Sequence, residues 1–142
     1  MKKVLNMTVA VVLMMAFAVC LCACGKTIDT EALWENATYG ENKEFGSGAK
    51  TVIVEVKAGD RSVTFTIHTD KDTVGEALFE HDLIDGDEGP YGLYVKSVNG
   101  ITADYDKDQT YWALYIDGEY AMTGVDSTDI SAGTVYTLER TK

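Results

Sequence analysis

The stretch Thr51-Val52-Ile53-Val54-Glu55-Val56-Lys57-Ala58-Gly59-Asp60-Arg61-Ser62-Val63-Thr64-Phe65-Thr66-Ile67-His68 decides the fold class. Val52, Val54 and Val56 alternate with Ile53, Glu55 and Lys57, and Val63, Phe65 and Ile67 alternate with Thr64, Thr66 and His68. A period of two over β-branched and aromatic residues predicts strands with one buried face. Ala58-Gly59-Asp60-Arg61 between the two runs is turn chemistry, so the pair reads as a β-hairpin.

Downstream, Thr73-Val74-Gly75-Glu76 has the capping-box spacing, a hydroxyl followed three residues later by a carboxylate. Val74, Ala77 and Leu78 give the helix it opens an apolar stripe, with His81 near the C-terminal end. Gly86 is expected to end the Leu83-Ile84 segment, and 85–90 reads as a loop. Tyr91 to Val98 reads as a third strand stopped by Asn99-Gly100, and Tyr111 to Ile116 as a fourth. Asp117-Gly118 is a two-residue hairpin signal into Glu119-Tyr120-Ala121, and Thr134 to Arg140 makes the last strand. A single helix laid across a mixed sheet buries these faces economically, which is an α+β, β-grasp-like architecture over residues 51–142.

The N-terminus has a different grammar. Lys2 and Lys3 precede a stretch from Val4 to Gly25 that carries no charge, the pattern of a secretory signal peptide over 1–23. Residues 24–50 read as a linker, polar from Glu41 to Lys50 and containing Gly46-Ser47-Gly48. That segment is either a stalk or a strap whose Trp34, Tyr39 and Phe45 fold back onto the domain.

Composition excludes several functions. The 142 residues hold 12 Lys+Arg against 23 Asp+Glu, a net charge of -11, which opposes binding to a nucleic-acid phosphate backbone. All three cysteines, Cys20, Cys22 and Cys24, lie in the leader, so residues 25–142 offer no disulfide, thiol nucleophile or thiolate zinc site. Ser47, Ser62, Ser97, Ser127 and Ser131 include no Gly-x-Ser-x-Gly elbow, and no Gly-rich phosphate loop precedes the helix. His68 and His81 lie on different elements without a cysteine partner. A binding module rather than an enzyme is expected.

Two resemblances add to this. Leu21-Cys22-Ala23-Cys24-Gly25 resembles the bacterial lipobox, which implies that Cys24 is lipidated and becomes the mature N-terminus of an extracytoplasmic, membrane-anchored protein. Cleavage there would remove Lys2 and Lys3 and no acid, leaving 10 basic and 23 acidic residues, net -13. Second, Gly92-Leu93-Tyr94-Val95-Lys96-Ser97-Val98-Asn99-Gly100, with Tyr111-Trp112, Gly124 and Gly133, resembles the C-terminal domain of transcobalamin and intrinsic factor. Closer still are the small bacterial lipoproteins that carry this domain alone. In transcobalamin the domain covers one side of cobalamin and a helical domain holds the other; no stretch of these 142 residues reads as that helical half. The resemblance implies cobalamin or another corrinoid as candidate ligand, and places Tyr94, Ser97, Trp112, Thr123 and Gly124 on the ligand-facing strands and loops.

The fourth strand is apolar or aromatic on both faces: Trp112, Leu114 and Ile116 on one, Tyr111, Ala113 and Tyr115 on the other. A sheet covered by one helix does not require this. Tyr111 and Tyr115 therefore join the candidates as an aromatic platform for a planar ligand, a glycan or a surface protein, unless loops cover that face. Alternation alone equally allows Trp112 to point into the core. A cell-surface structural or adhesive module is the alternative function. Asp104, Asp106 and Asp108 alternate like the start of a calcium loop, but Gln109 and Tyr115 stand where an EF-hand needs Gly and Glu. A looser calcium site, drawing on Asp85, Asp87 or Glu88, is the remaining metal expectation.

Overall fold

The computed structural model describes residues 28–142. Cys24 and the leader lie outside the described residues. In chain order the elements are α1 (Thr30–Trp34), β1 (Lys43–Gly46), β2 (Lys50–Ala58), β3 (Arg61–Thr69), α2 (Val74–Phe79), β4 (Ile84–Gly89) and β5 (Gly92–Val98). These are followed by β6 (Ile101–Thr102), α3 (Tyr105–Asp108), β7 (Tyr111–Ile116), β8 (Glu119–Tyr120), a 3-10 turn (Val125–Ser127) and β9 (Val135–Thr141). Six strands form one sheet in the order β1-β3-β2-β9-β7-β8, and β4-β5-β6 form a second. The large sheet is mixed, with β1 parallel to β3 and β2 parallel to β9. This is a sheet-dominated α/β arrangement with few, short helices.

The predicted hairpin is β2–β3, its register running from Lys50↔Thr69 to Ala58↔Arg61. Its alternating residues deliver Val52, Val54, Val56, Val63, Phe65 and Ile67 to the core, all at most 3% exposed. Each such side chain contributes about 1.5–3 kcal/mol of burial. β7 and β9 continue the face with Trp112, Leu114, Tyr136 and Leu138. The Tyr136 hydroxyl donates to the Asp129 carbonyl (2.9 Å) and accepts from Ser131 N–H (2.9 Å), so the buried phenol is satisfied. Opposite lie Val74, Ala77 and Leu78 of α2, which opens with the expected capping box between Thr73 and Glu76. The two Thr73 and Asp72 backbone N–H groups that bond Glu76 hold its carboxyl below the usual range.

The structure departs from the sequence reading in two segments. Residues expected as a linker up to position 50 are folded from Thr30 onward. Trp34 is 5% exposed, donates Nε1–H to the Ala58 carbonyl (3.0 Å), and lies under the Arg61 guanidinium. Tyr39, Phe45 and Phe65 pack edge to face, and β1 pairs along β3 from Lys43↔Phe65 to Gly46↔His68. Asn99, fully buried, ties the strap down by donating to the Tyr39 carbonyl (2.8 Å) and accepting from Tyr39 N–H (3.0 Å). Three aromatic anchors outweigh polar composition, so the strap reading holds and the stalk reading is corrected. The second departure is 85–90, which is no loop. β4 runs on to Gly89 as a hairpin with β5 and absorbs a register shift at Asp85/Gly86. Gly86 makes a bulge rather than an end, because it has no Cβ to strike the Tyr94 carbonyl.

Candidate functional site

Two strands stop short of full pairing. β8 pairs with β7 only at Tyr115↔Tyr120 and Ile116↔Glu119, after which Ala121 N–H donates to the Leu114 carbonyl (2.9 Å). The backbone groups of Leu114 thus face the β8 side, and by the two-residue period so do those of Trp112, past the end of the ladder. β6 likewise pairs only Ser97 and Val98 of β5, and Ala103 N–H then donates to the Lys96 carbonyl (2.9 Å). Leu93 to Val95 have no ladder partner on that side.

Both open stretches line one cleft, together with Tyr120, Ala121, Thr123, Gly124 and Val125. Its volume is about 130 Å³. Drug-sized ligands fill pockets of roughly 300–1,000 Å³, so this cleft accepts a side group or an edge, and a ligand's body must rest on the rim. The rim is aromatic and exposed: Tyr94 is 45% exposed and Tyr120 55%.

Polar chemistry in the cleft is sparse. Trp112 is 8% exposed and packs in the core, as one of the two sequence readings has it, but among the described residues its buried Nε1–H has no hydrogen-bond partner. An orphaned indole donor costs about 1–3 kcal/mol, a cost that an incoming acceptor would relieve. Next to the Thr123-Gly124 wall, Asp126 Oδ2 accepts from Leu93 N–H (3.1 Å), while its buried Oδ1 has no partner among the described residues. Gly92 (φ +99°) lets the β4–β5 turn close against this carboxylate, since a Cβ there would fall 2.5 Å from Oδ2.

Of the predicted ligand-facing residues, Tyr94, Tyr111, Trp112, Thr123 and Gly124 meet in the cleft. Ser97 does not; it sits in the β4–β5–β6 ladder opposite Asp85 and Thr102. Tyr115 also lies outside, edge-on to Tyr120 (5.7 Å between centroids). The aromatic platform is partly covered: Tyr111 and Tyr115 are half-buried. Burial, then the neighbouring Tyr120 and Tyr115, pushes the Tyr111 phenol above its ordinary pKa, so it stays a neutral donor. Sequence reasoning missed Leu93, Val95, Ala121 and Asp126. Nothing in the 121–126 loop has a strand or helix period, and only Gly124, two residues before Asp126, hints at a close approach.

The acids of the calcium expectation make internal contacts. Asp104 Oδ1 caps α3 by accepting from Asp106 N–H (3.1 Å) and Lys107 N–H (3.3 Å). Asp108 accepts from the Thr110 hydroxyl and from Arg140 Nη2 (2.7 Å), and the Thr110 hydrogen bonds, with Arg140 beside them, hold its carboxyl below the usual range. Asp87 pairs with Lys96. Among the described residues no three His, Cys, Asp or Glu side chains gather as a metal cluster.

A larger hollow of about 900 Å³ lies elsewhere, walled by α1, Gly100 to Thr102 and the end of β9. Its lining includes the Arg140–Asp108 pair and Ile28. It holds none of the converging aromatic residues, and the cleft is the better candidate.

Fold and cleft together define a small sheet-dominated α/β domain with an aromatic slot between two sheets. Residues 71–141 match the family described as a domain of unknown function, DUF4430, and the chain belongs to that family. A crystal structure of a Ruminococcus gnavus ATCC 29149 protein, provisionally described as metal binding, is 35% identical, with TM-score 0.63, covering 66% of this chain and 98% of that one. Haptocorrin in complex with Cbi is 20% identical over 69% of this chain and 26% of its own, with TM-score 0.48. No curated protein matches the sequence.

Proposed function

We propose that this chain is a lipid-anchored, extracytoplasmic binding module with no catalytic activity, a β-grasp-like domain that follows a signal peptide and a lipidated Cys24. Its ligand is a small molecule that presents an acceptor group to the β5–β7 cleft. The observation that carries the reading is the buried Nε1–H of Trp112, without a partner among the described residues, on a side chain that lines the cleft where five of the residues singled out from sequence converge. An indole donor, a phenol and an open backbone edge suit an amide or carboxylate on a flat body lying across Tyr94 and Tyr120.

Corrinoid remains the specific candidate, because it is flat and bears amide side groups. The absorbance of hydroxocobalamin and of cobinamide is followed while the mature protein is added. Saturable binding with Kd below about 100 μM is expected, weakened in Trp112→Phe; no spectral change at that concentration retires corrinoids. A metal, suggested by the provisional description of the Ruminococcus gnavus relative, finds less support, since the carboxylates of Asp104 and Asp108 are engaged internally. The exposed Tyr91 (98%) and Met122 (92%) favour a protein or glycan contact as the second reading.

A further inference from the structure

One end of the large sheet gathers the chain's entry point. Ala58 pairs with Arg140 and Tyr111 with Thr141, so the β2–β3 turn, the start of β7 and the finish of β9 lie at the same end. Asp60 N–H donates to Thr30 Oγ1 (3.2 Å), which fixes α1, and with it Ile28, at that end too. The opposite end carries Lys50↔Thr69, Ile53↔Val135 and the Asp117-Gly118 turn. The eight steps of β2 separate the ends by about 26 Å.

We propose that the end bearing Ile28, the Gly59-Asp60 turn, Arg140 and Lys142 is a membrane-facing surface, held on the bilayer by a very short tether. This rests on the reading of Cys24 as the lipid anchor. Because the structure folds the chain from Thr30 onward, only the four steps from Cys24 to Ile28 remain as spacer, at most about 14 Å. Placing the opposite end on the bilayer would require the tether to cross about 26 Å, which it cannot. Residues 28–142 carry 9 basic and 23 acidic side chains, net -14. Four of those nine, Lys57, Arg61, Arg140 and Lys142, lie on the β2–β3 hairpin end or the finish of β9, where Asp29, Glu31, Asp60 and Glu139 offset them, so the tether length and not charge selects this end. Ile28, 54% exposed, adds an apolar contact at the interface.

The test uses the full-length lipoprotein purified from membranes and reconstituted in vesicles of phosphatidylglycerol with a nitroxide headgroup lipid. Lipidation blocks the Cys24 thiol, so Asp60→Cys and Ala132→Cys each offer one site for a fluorophore, at the near and far ends. Quenching at position 60 at least about threefold greater than at 132 is expected. A spacer of about twenty Gly and Ser residues inserted before Ile28 should bring the ratio towards one. Equal or stronger quenching at position 132, or no response to the spacer, overturns the orientation. Intact mass separates the two premises: acyl mass with equal quenching removes the orientation alone, whereas absence of acyl mass on the wild type removes the anchor and the orientation together.

Discussion

Replacing Trp34 by alanine tests whether residues before the first predicted strand belong to the domain. The side chain is 5% exposed, in contact with the main core, and its Nε1–H is the partner of the Ala58 carbonyl at 3.0 Å. Truncation of a buried aromatic to alanine costs about 3–5 kcal/mol, and the hydrogen bond that goes with it about 1 kcal/mol. The Arg61 guanidinium, 4.7 Å from the ring centroid, loses its aromatic support, worth about 0.5–1 kcal/mol at a half-exposed site. These overlap, so about 4–5 kcal/mol is the expected total, a large share of the roughly 5–15 kcal/mol that stabilises a domain. The assay is urea unfolding of the mature protein followed by far-UV circular dichroism, comparing midpoints at constant slope. Trp34→Phe keeps most of the volume and should lose only about 1–2 kcal/mol. A Trp34→Ala loss below about 0.5 kcal/mol, the size of an ordinary surface change, would refute the strap and restore the stalk.

Three further outcomes follow from the same geometry. Gly92→Ala should destabilise by more than about 1 kcal/mol, because φ is +99° and the new Cβ meets Asp126; calorimetric Tm reports it, and Gly133→Ala, with nothing within 4 Å, isolates the backbone contribution. Acidification should destabilise the protein below about pH 4. The Glu76 and Asp108 carboxyls are held below their ordinary values, so the folded state binds protons less readily than the unfolded one; their stabilisation is present above the unfolded pKa and lost as pH falls through the folded pKa. Glu76→Gln should flatten that dependence in pH-stepped urea melts. Asn99→Ala, which removes both bonds to Tyr39, should cost about 2–3 kcal/mol and raise hydrogen exchange in the 37–45 strap before the rest of the domain.

What the sequence made legible were the elements whose chemistry is local. The β2–β3 hairpin, the Thr73–Glu76 capping box and the Asp117-Gly118 turn each carry their own signal within a few residues. The strap was harder because its strand, Lys43–Gly46, has Phe45 as its lone apolar residue and pairs in parallel with a strand about twenty residues away. Long-range pairing of a polar edge leaves no period to read. β4 was hidden for a related reason: Asp85, Asp87 and Glu88 are edge-strand charges, and Gly86 looked like a stop. At the site, tyrosines and the Thr123-Gly124 pair were visible as residue types. Their convergence depends on two incomplete ladders, and the role of Asp126 on a contact across 33 positions. Neither is written in spacing.

The two indole resonances of the mature protein report where a ligand binds. Trp34 and Trp112 are its only tryptophans, one bonded to Ala58 and the other without a partner among the described residues. Nitrogen–proton correlation spectra are recorded while hydroxocobalamin and a set of small amides and carboxylates are added. Binders are expected to shift the Trp112 indole and the backbone amides of Leu93 to Val95, leaving the Trp34 indole in place. Shifts confined to Leu33, Asn36 and Thr102, around the larger hollow, with Trp112 unmoved, would contradict binding in the cleft.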